Sequence, residues 1–139
     1  MGAYVGFVQE SLVMAQYWHD PLNEAKYRAK SLFLADINQE RSVNETYKMN
    51  LLMLSNLVLV KFNQDTMIDP KECAWFGFYK PGQTKELFTL SETELYQEDK
   101  LGLRELQDSG RLHFLSIDAD HLRWSEEFFT HEIINQFLM

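Results

Sequence analysis

Two residues of this chain are placed to share chemistry: Asp65 and His121. Each follows a short apolar run that reads as a buried strand, 57–62 (LVLVKF) before the aspartate and 111–117 (RLHFLSI) before the histidine. Asp65 comes three residues after its run and His121 four after its own. In doubly wound α/β sheets, reactive groups gather beyond the carboxyl ends of the strands. A carboxylate hydrogen-bonded to an imidazole fixes the ring's tautomer and stabilises the imidazolium, so that the ring can take a proton from a nucleophile. Asp69 rivals Asp65 as the acid, but Asp65 lies nearer the strand end.

The other reactive side chains have plainer readings. Cys73 is the single cysteine of the 139 residues, so neither an internal disulfide nor a cysteine-based zinc site is available. Nothing near it would lower its pKa. His19 beside Asp20 reads as a turn before Pro21, and His113 as a structural residue alternating within a strand. His131-Glu132 lacks a second histidine because Asn135 stands in its place, so no metal is expected. No cofactor is expected either. The basic side chains are scattered and form no anion cradle. Acidic residues outnumber basic ones 21 to 13, for a net charge of −8, which disfavours nucleic acid and anionic lipid as partners. Apolar residues make up 45% of the chain, enough to bury a core. No apolar stretch is long enough to cross a bilayer. The first residues show neither a signal peptide nor a myristoylation pattern.

The elements that must position the pair follow from spacing. Residues 4–18 place Val5, Val8, Leu12, Ala15 and Tyr17 or Trp18 at helical steps, which predicts one amphipathic helix ending before Pro21. Residues 22–43 read as an irregular connection with short helical turns. A second helix is expected over 44–55. Residues 74–79 and 86–90 flank Pro81-Gly82 and predict a hairpin with a turn of about five residues. A helix over 100–108 should stop at Ser109-Gly110. Ser125 should cap a last helix over 126–138, with Phe128, Phe129, Ile133, Ile134 and Phe137 offering a buried side. Two apolar strands joined by a crossover longer than a hairpin predict parallel neighbours. The fold class is therefore α/β.

An acid and then a histidine, each in a loop after a parallel strand, is the second half of the Ser…Asp…His order of α/β-hydrolases. Beyond this pattern, long segments resemble the palmitoyl-protein thioesterase family: VQESLVMAQYWHDP (8–21), SLFLADINQER (31–41), NETYKMNL (44–51), VKFNQDTMIDP (60–70), WFGFYKPGQTKE (75–86), LYQEDKLGLRELQDSGRLHFL (95–115) and DHLRWSEEFF (120–129). The resemblance is to the C-terminal portion of that family. It implies an incomplete α/β-hydrolase sheet of two parallel core strands, with helices and one hairpin. It also implies a helical insert and groove region over 1–56 and a hydrolase core over 57–139. The family hydrolyses fatty-acyl thioesters on protein cysteines, so S-acylated proteins are the implied substrates and the lysosome the implied site of action. By position, the family's acid falls on Asp65 and its histidine on His121.

The resemblance extends to further residues. Trp18, Leu32, Phe33 and Leu34 fall in the region that helps form the family's acyl groove, although ordinary core is the plainer reading. Asn44-Glu45-Thr46 matches a family glycosylation sequon. Ala119 stands where the family usually has glycine, which should shift that loop slightly. Gln64 replaces the asparagine of a second sequon. No serine here sits in G-x-S-x-G. The chain is therefore expected to be a fragment, a truncated gene model or an alternative product that is inactive and marginally stable alone. The alternative is a non-catalytic product that binds lipid or protein through exposed apolar surface.

Overall fold

The structure, a computed structural model, describes residues 2–138. Five short helices come first: α1 (Gly6–Ser11), α2 (Val13–Gln16), α3 (Glu24–Lys30), α4 (Leu34–Ile37) and α5 (Glu45–Leu52). Strand β1 (Leu57–Phe62) leads through a 3₁₀ turn (Lys71–Trp75) to the hairpin strands β2 (Phe78–Tyr79) and β3 (Leu87–Phe88). A second 3₁₀ turn (Leu90–Glu92), α6 (Glu94–Gln97), α7 (Leu103–Asp108) and β4 (Leu112–Ile117) follow. The short helix α8 (Glu126–Phe128) then continues as π-helical turns (Phe129–Leu138).

β1 and β4 form a two-stranded parallel sheet, running from Leu57 beside Leu112 to Phe62 beside Ile117. Among the described residues neither pairs with a third strand, so the α/β sheet is incomplete. The strand runs match the expectation, but β1 is mostly half-buried, with only Phe62 fully covered. The main core lies where α7 meets β4. Leu103 and Leu106 lose all exposure there, joined by Leu90, Leu101 and Leu112. Each leucine so buried contributes about 1.5–3 kcal/mol relative to an exposed one. Both ends of α7 need a left-handed backbone, supplied by Gly102 (φ 79°) and Gly110 (φ 71°). The helix stops as expected, with the Arg111 N–H reaching back to the Leu106 carbonyl.

The single helix expected over 4–18 is broken. Leu12 is extended (φ −121°, ψ 109°) and separates α1 from α2. The buried residues are Tyr4, Gln9 and Ala15, while Val5, Leu12, Tyr17 and Trp18 are exposed. Gln9 explains the break. Its amide donates to the carbonyls of Ala3 and Ala15, each at 2.7 Å, and its Oε1 accepts from the Leu32 N–H at 2.9 Å. A regular helix would hold those carbonyls in its own ladder. The connection over 22–43 carries more order than expected, namely α3 and α4. The second helix begins as read, with Asn44 Oδ1 accepting from the Thr46 N–H at 3.0 Å.

His19 ties this helical region to the hairpin. Its ring is stacked between Tyr27 at 3.7 Å and Phe78 at 4.0 Å, and its Nε2 meets Glu24 Oε1 at 2.7 Å. Asp20 instead accepts from the Leu22 N–H, so the two neighbours form no dyad. The hairpin strands are shorter than expected and the connection between them longer. At the chain's end Ser125 Oγ accepts from the Phe128 N–H at 3.0 Å, the expected cap. The face offered for burial is only half-covered, and Phe129 is exposed.

Candidate active site: an acid and a histidine on two parallel strands

Because β1 and β4 run parallel and end level, the loops that follow them leave the sheet side by side. Backbone and side-chain bonds then join the loops. The Asn63 N–H donates to the Ile117 carbonyl at 2.8 Å, and the Gln64 N–H to the Ala119 carbonyl at 3.1 Å. The Asn63 amide donates to Asp118 Oδ1 at 2.6 Å. Ala119 keeps out of the left-handed region, so glycine's freedom is not required at this turn.

At the tip of the two loops His121 Nδ1 lies 2.8 Å from Asp65 Oδ2. An ionised carboxylate only accepts, so Nδ1 carries the hydrogen and Nε2 is left as the acceptor. The other Asp65 oxygen accepts from the N–H groups of Met67 (2.8 Å) and Ile68 (2.9 Å), a tight turn that aims the carboxylate. Desolvation pushes the Asp65 pKa up. The hydrogen bond from His121 and those from Ile68 and Met67 outweigh it, and the carboxyl sits below its ordinary value. The Asp65 side chain keeps 7% of its exposure and the imidazole 31%, so the ring presents an edge to solvent or to a partner group. The Phe62 ring lies 6.5 Å from the imidazole at a tilt of 52°, and Trp124 packs in turn on Phe62 at 5.8 Å.

The rival acid is occupied elsewhere. Asp69 Oδ1 accepts from the Tyr79 hydroxyl at 2.7 Å, which ties the acid loop to the hairpin. Cys73 presents surface, yet its thiol pKa is raised by desolvation and by the carboxylates of Asp65, Glu72 and Asp69. A thiol so placed is a poor nucleophile. His113 Nε2 meets Asn56 Oδ1 at 2.9 Å, a structural contact. Among the described residues no group of three His, Cys, Asp or Glu side chains could hold a metal ion.

The four groove candidates lie in different surroundings. Leu34 packs on the Tyr4–Tyr27–Ala35 cluster as core, and the Phe33 ring lies 5.1 Å from that of Tyr17. Trp18 and Leu32 are exposed, at 54% and 52%. None of the four lines the cavity of about 350 Å³ beside Asp65, whose walls include Ile68, Pro70 and Tyr79. A further carboxylate, Asp120, braces the pair. Asp120 Oδ1 accepts from the Thr66 N–H and hydroxyl, both at 2.9 Å, and from the His121 N–H at 2.7 Å. Only the adjacency of Asp120 to His121 could have signalled it.

Helices around parallel strands, with an acid and then a histidine in the loops after them, define the second half of an α/β-hydrolase. The family model described as palmitoyl protein thioesterase matches residues 1–121. The chain is 52% identical to palmitoyl-protein thioesterase 1 of Caenorhabditis elegans over 139 residues, all of this chain and 47% of that protein. It is 44% identical to palmitoyl-protein thioesterase 3 of Dictyostelium discoideum over 119 residues, covering 85% of this chain and 41% of that one. A lysosomal thioesterase, PPT2-B of Xenopus laevis, is 33% identical over 111 residues, covering 78% and 38%. The chain belongs to the palmitoyl-protein thioesterase family, and it spans less than half the length of these relatives.

Proposed function

We propose that these residues supply the acid and histidine of a thioesterase that hydrolyses fatty-acyl thioesters on protein cysteines. The observation that carries the proposal is the 2.8 Å contact between His121 Nδ1 and Asp65 Oδ2, which leaves Nε2 to serve a nucleophile. The sequence holds no G-x-S-x-G, so the hydroxyl would come from a part of the fold outside these residues. In that assembly Nε2 accepts the serine proton as Oγ attacks the thioester carbonyl. Asp65 stabilises the imidazolium, which returns its proton to the departing cysteine thiolate. Water, deprotonated at the same nitrogen, then cleaves the acyl-enzyme and releases the fatty acid. Substrates are S-acylated proteins or peptides. The names of the relatives support a lysosomal setting. Asn44 is exposed, and its cap uses only the amide oxygen, so the nitrogen stays open to a glycan.

The experiment compares palmitoyl-thioester turnover by the 139-residue chain with that of the chain joined to a serine-bearing N-terminal half of the same family. The chain alone should not exceed buffer. The joined protein should turn over substrate, and Asp65→Asn should lower its kcat about 10⁴-fold, as expected when an imidazole loses the acid that sets its tautomer. Full activity in the Asp65→Asn or His121→Gln protein overturns the proposal.

A further inference from the structure

The two catalytic candidates are embraced by a second carboxylate. Asp65, on the first loop, reaches across to the His121 ring of the second. Asp120, on the second loop, reaches back to Thr66 of the first. The two bonds cross between adjacent residue pairs, so each loop holds the other. A single Asp120 oxygen accepts three hydrogens: the Thr66 N–H, the Thr66 hydroxyl and the His121 N–H. The first two fix the turn that aims Asp65. The third fixes the backbone from which the imidazole hangs. Such charge-assisted bonds are shorter and stronger than neutral ones.

We propose that Asp120 is a positioning residue that locks the acid loop to the histidine loop, and that without it the Asp65–His121 bond is only part-time. This rests on the reading of Asp65 and His121 as partners. Asp120 bonds Thr66 and the His121 N–H rather than the imidazole ring, so the effect runs through Thr66 and the His121 backbone. With the brace gone, the turn from Asp65 to Ile68 keeps its own N–H bonds but loses its register against the ring. An asparagine presenting its carbonyl oxygen keeps the acceptor and gives up only the charge assistance, so it should preserve part of the lock that alanine loses.

The test reads the ring directly. The 139-residue chain is labelled with ¹⁵N-histidine and the two His121 ring nitrogens are observed by NMR with the imidazole neutral. In the parent the Nδ1–H form should dominate. Asp65→Ala, which deletes the partner, should lower the ratio of Nδ1–H to Nε2–H about tenfold or more, the loss expected from one charge-assisted bond. Asp120→Ala should lower it about threefold or more, Thr66→Val by less, and Asp120→Asn least of all. A merely structural role for Asp120 would leave the ratio at the parental value in any variant that stays folded. If Asp65→Ala moves the ratio and neither Asp120→Ala nor Thr66→Val does, the brace is wrong and the pair stands. If Asp65→Ala itself leaves it unmoved, the pair is wrong and the brace falls with it. Should Asp120→Ala lose its dispersed amide spectrum, Thr66→Val decides, because only one hydroxyl is removed there; an unchanged ratio in that variant overturns the proposal.

Discussion

Adding one carbon to Gly102 should cost more than adding the same carbon at the other end of the same helix. Gly102 precedes α7 at φ 79° and Gly110 follows it at φ 71°. An alanine at either position pays the left-handed penalty of about 1–2 kcal/mol. At Gly110 the new Cβ meets nothing within 4 Å. At Gly102 it would lie 2.7 Å from Leu52 Cδ2 and 2.8 Å from Leu52 Cγ. Because Cγ is involved, the whole isobutyl group of Leu52 must swing away from the core beside Leu103 and Leu106. Overpacking of that kind costs about 1–3 kcal/mol. Gly102→Ala should therefore destabilise by about 2–5 kcal/mol in all. The gain from a stiffer unfolded chain is the same for both variants and cancels in their comparison.

The assay is urea unfolding followed by tryptophan fluorescence, reported as the difference between the two variants. A double variant, Gly102→Ala with Leu52→Ala, should remove the excess because the colliding group is gone. Equal losses at the two glycines, or an excess that survives Leu52→Ala, would refute the reasoning. The outcome bears on the site, since α7 anchors β4 through Leu106 and Leu112, and β4 carries the loop of His121.

Other perturbations have equally definite signs. Asp65 has a folded pKa below its ordinary value, so its contribution is full above the unfolded pKa and is lost as pH falls through the folded one. Asp65→Asn should flatten the acid limb of a melting temperature against pH curve, and an unchanged limb would contradict the assignment. Gln9→Leu strands the Ala3 carbonyl and the Leu32 N–H in a site where the side chain keeps 1% exposure. Each stranded group costs about 1–3 kcal/mol, and a loss below 1 kcal/mol by chemical denaturation would show that water takes over. Lys48 Nζ lies 3.1 Å from the well-covered Asp99 carboxylate, whose other oxygen caps the Arg104 N–H. Lys48→Met should lower stability by about 1–3 kcal/mol, a loss that calorimetry should find in Lys48→Met but not in Lys85→Met.

The two core strands were legible because β1 and β4 are apolar runs of strand length with turn residues after them. The caps at Asn44 and Ser125 and the stop at Gly110 were legible because each depends on neighbours two to four residues away. The break at Leu12 was not. Helical spacing runs unbroken through 4–18, and the competing force is the amide of Gln9, whose acceptor Ala15 and donor Leu32 meet only after the chain has turned back. Strand β2 fell short of its apolar run because Trp75 turns to the sheet instead. Its indole N–H faces the carbonyls of Leu59 and Leu115, at 3.1 and 3.2 Å. Asp65 and His121 could be picked from strand placement, whereas Asp120 could not. Its partner Thr66 is defined by register, which no local pattern encodes.

Register is also what makes the site. Along the sheet each β1 residue faces the β4 residue 55 positions later, from Leu57 and Leu112 onward. That offset continues beyond the strands, since Asn63 bonds Asp118 at the same separation. At the tip the pattern crosses: Asp65 bonds His121, 56 positions on, and Thr66 bonds Asp120, 54 positions on. A slip of one residue would turn every β4 side chain to the opposite face and part both crossed bonds. The slip is resisted at the far end of the sheet, where Leu112 is buried against Leu103 and Leu106. The apolar contact that holds the register is thus remote from the polar bonds that use it. Weakening that contact should loosen the acid–histidine pair before any residue at the tip is touched.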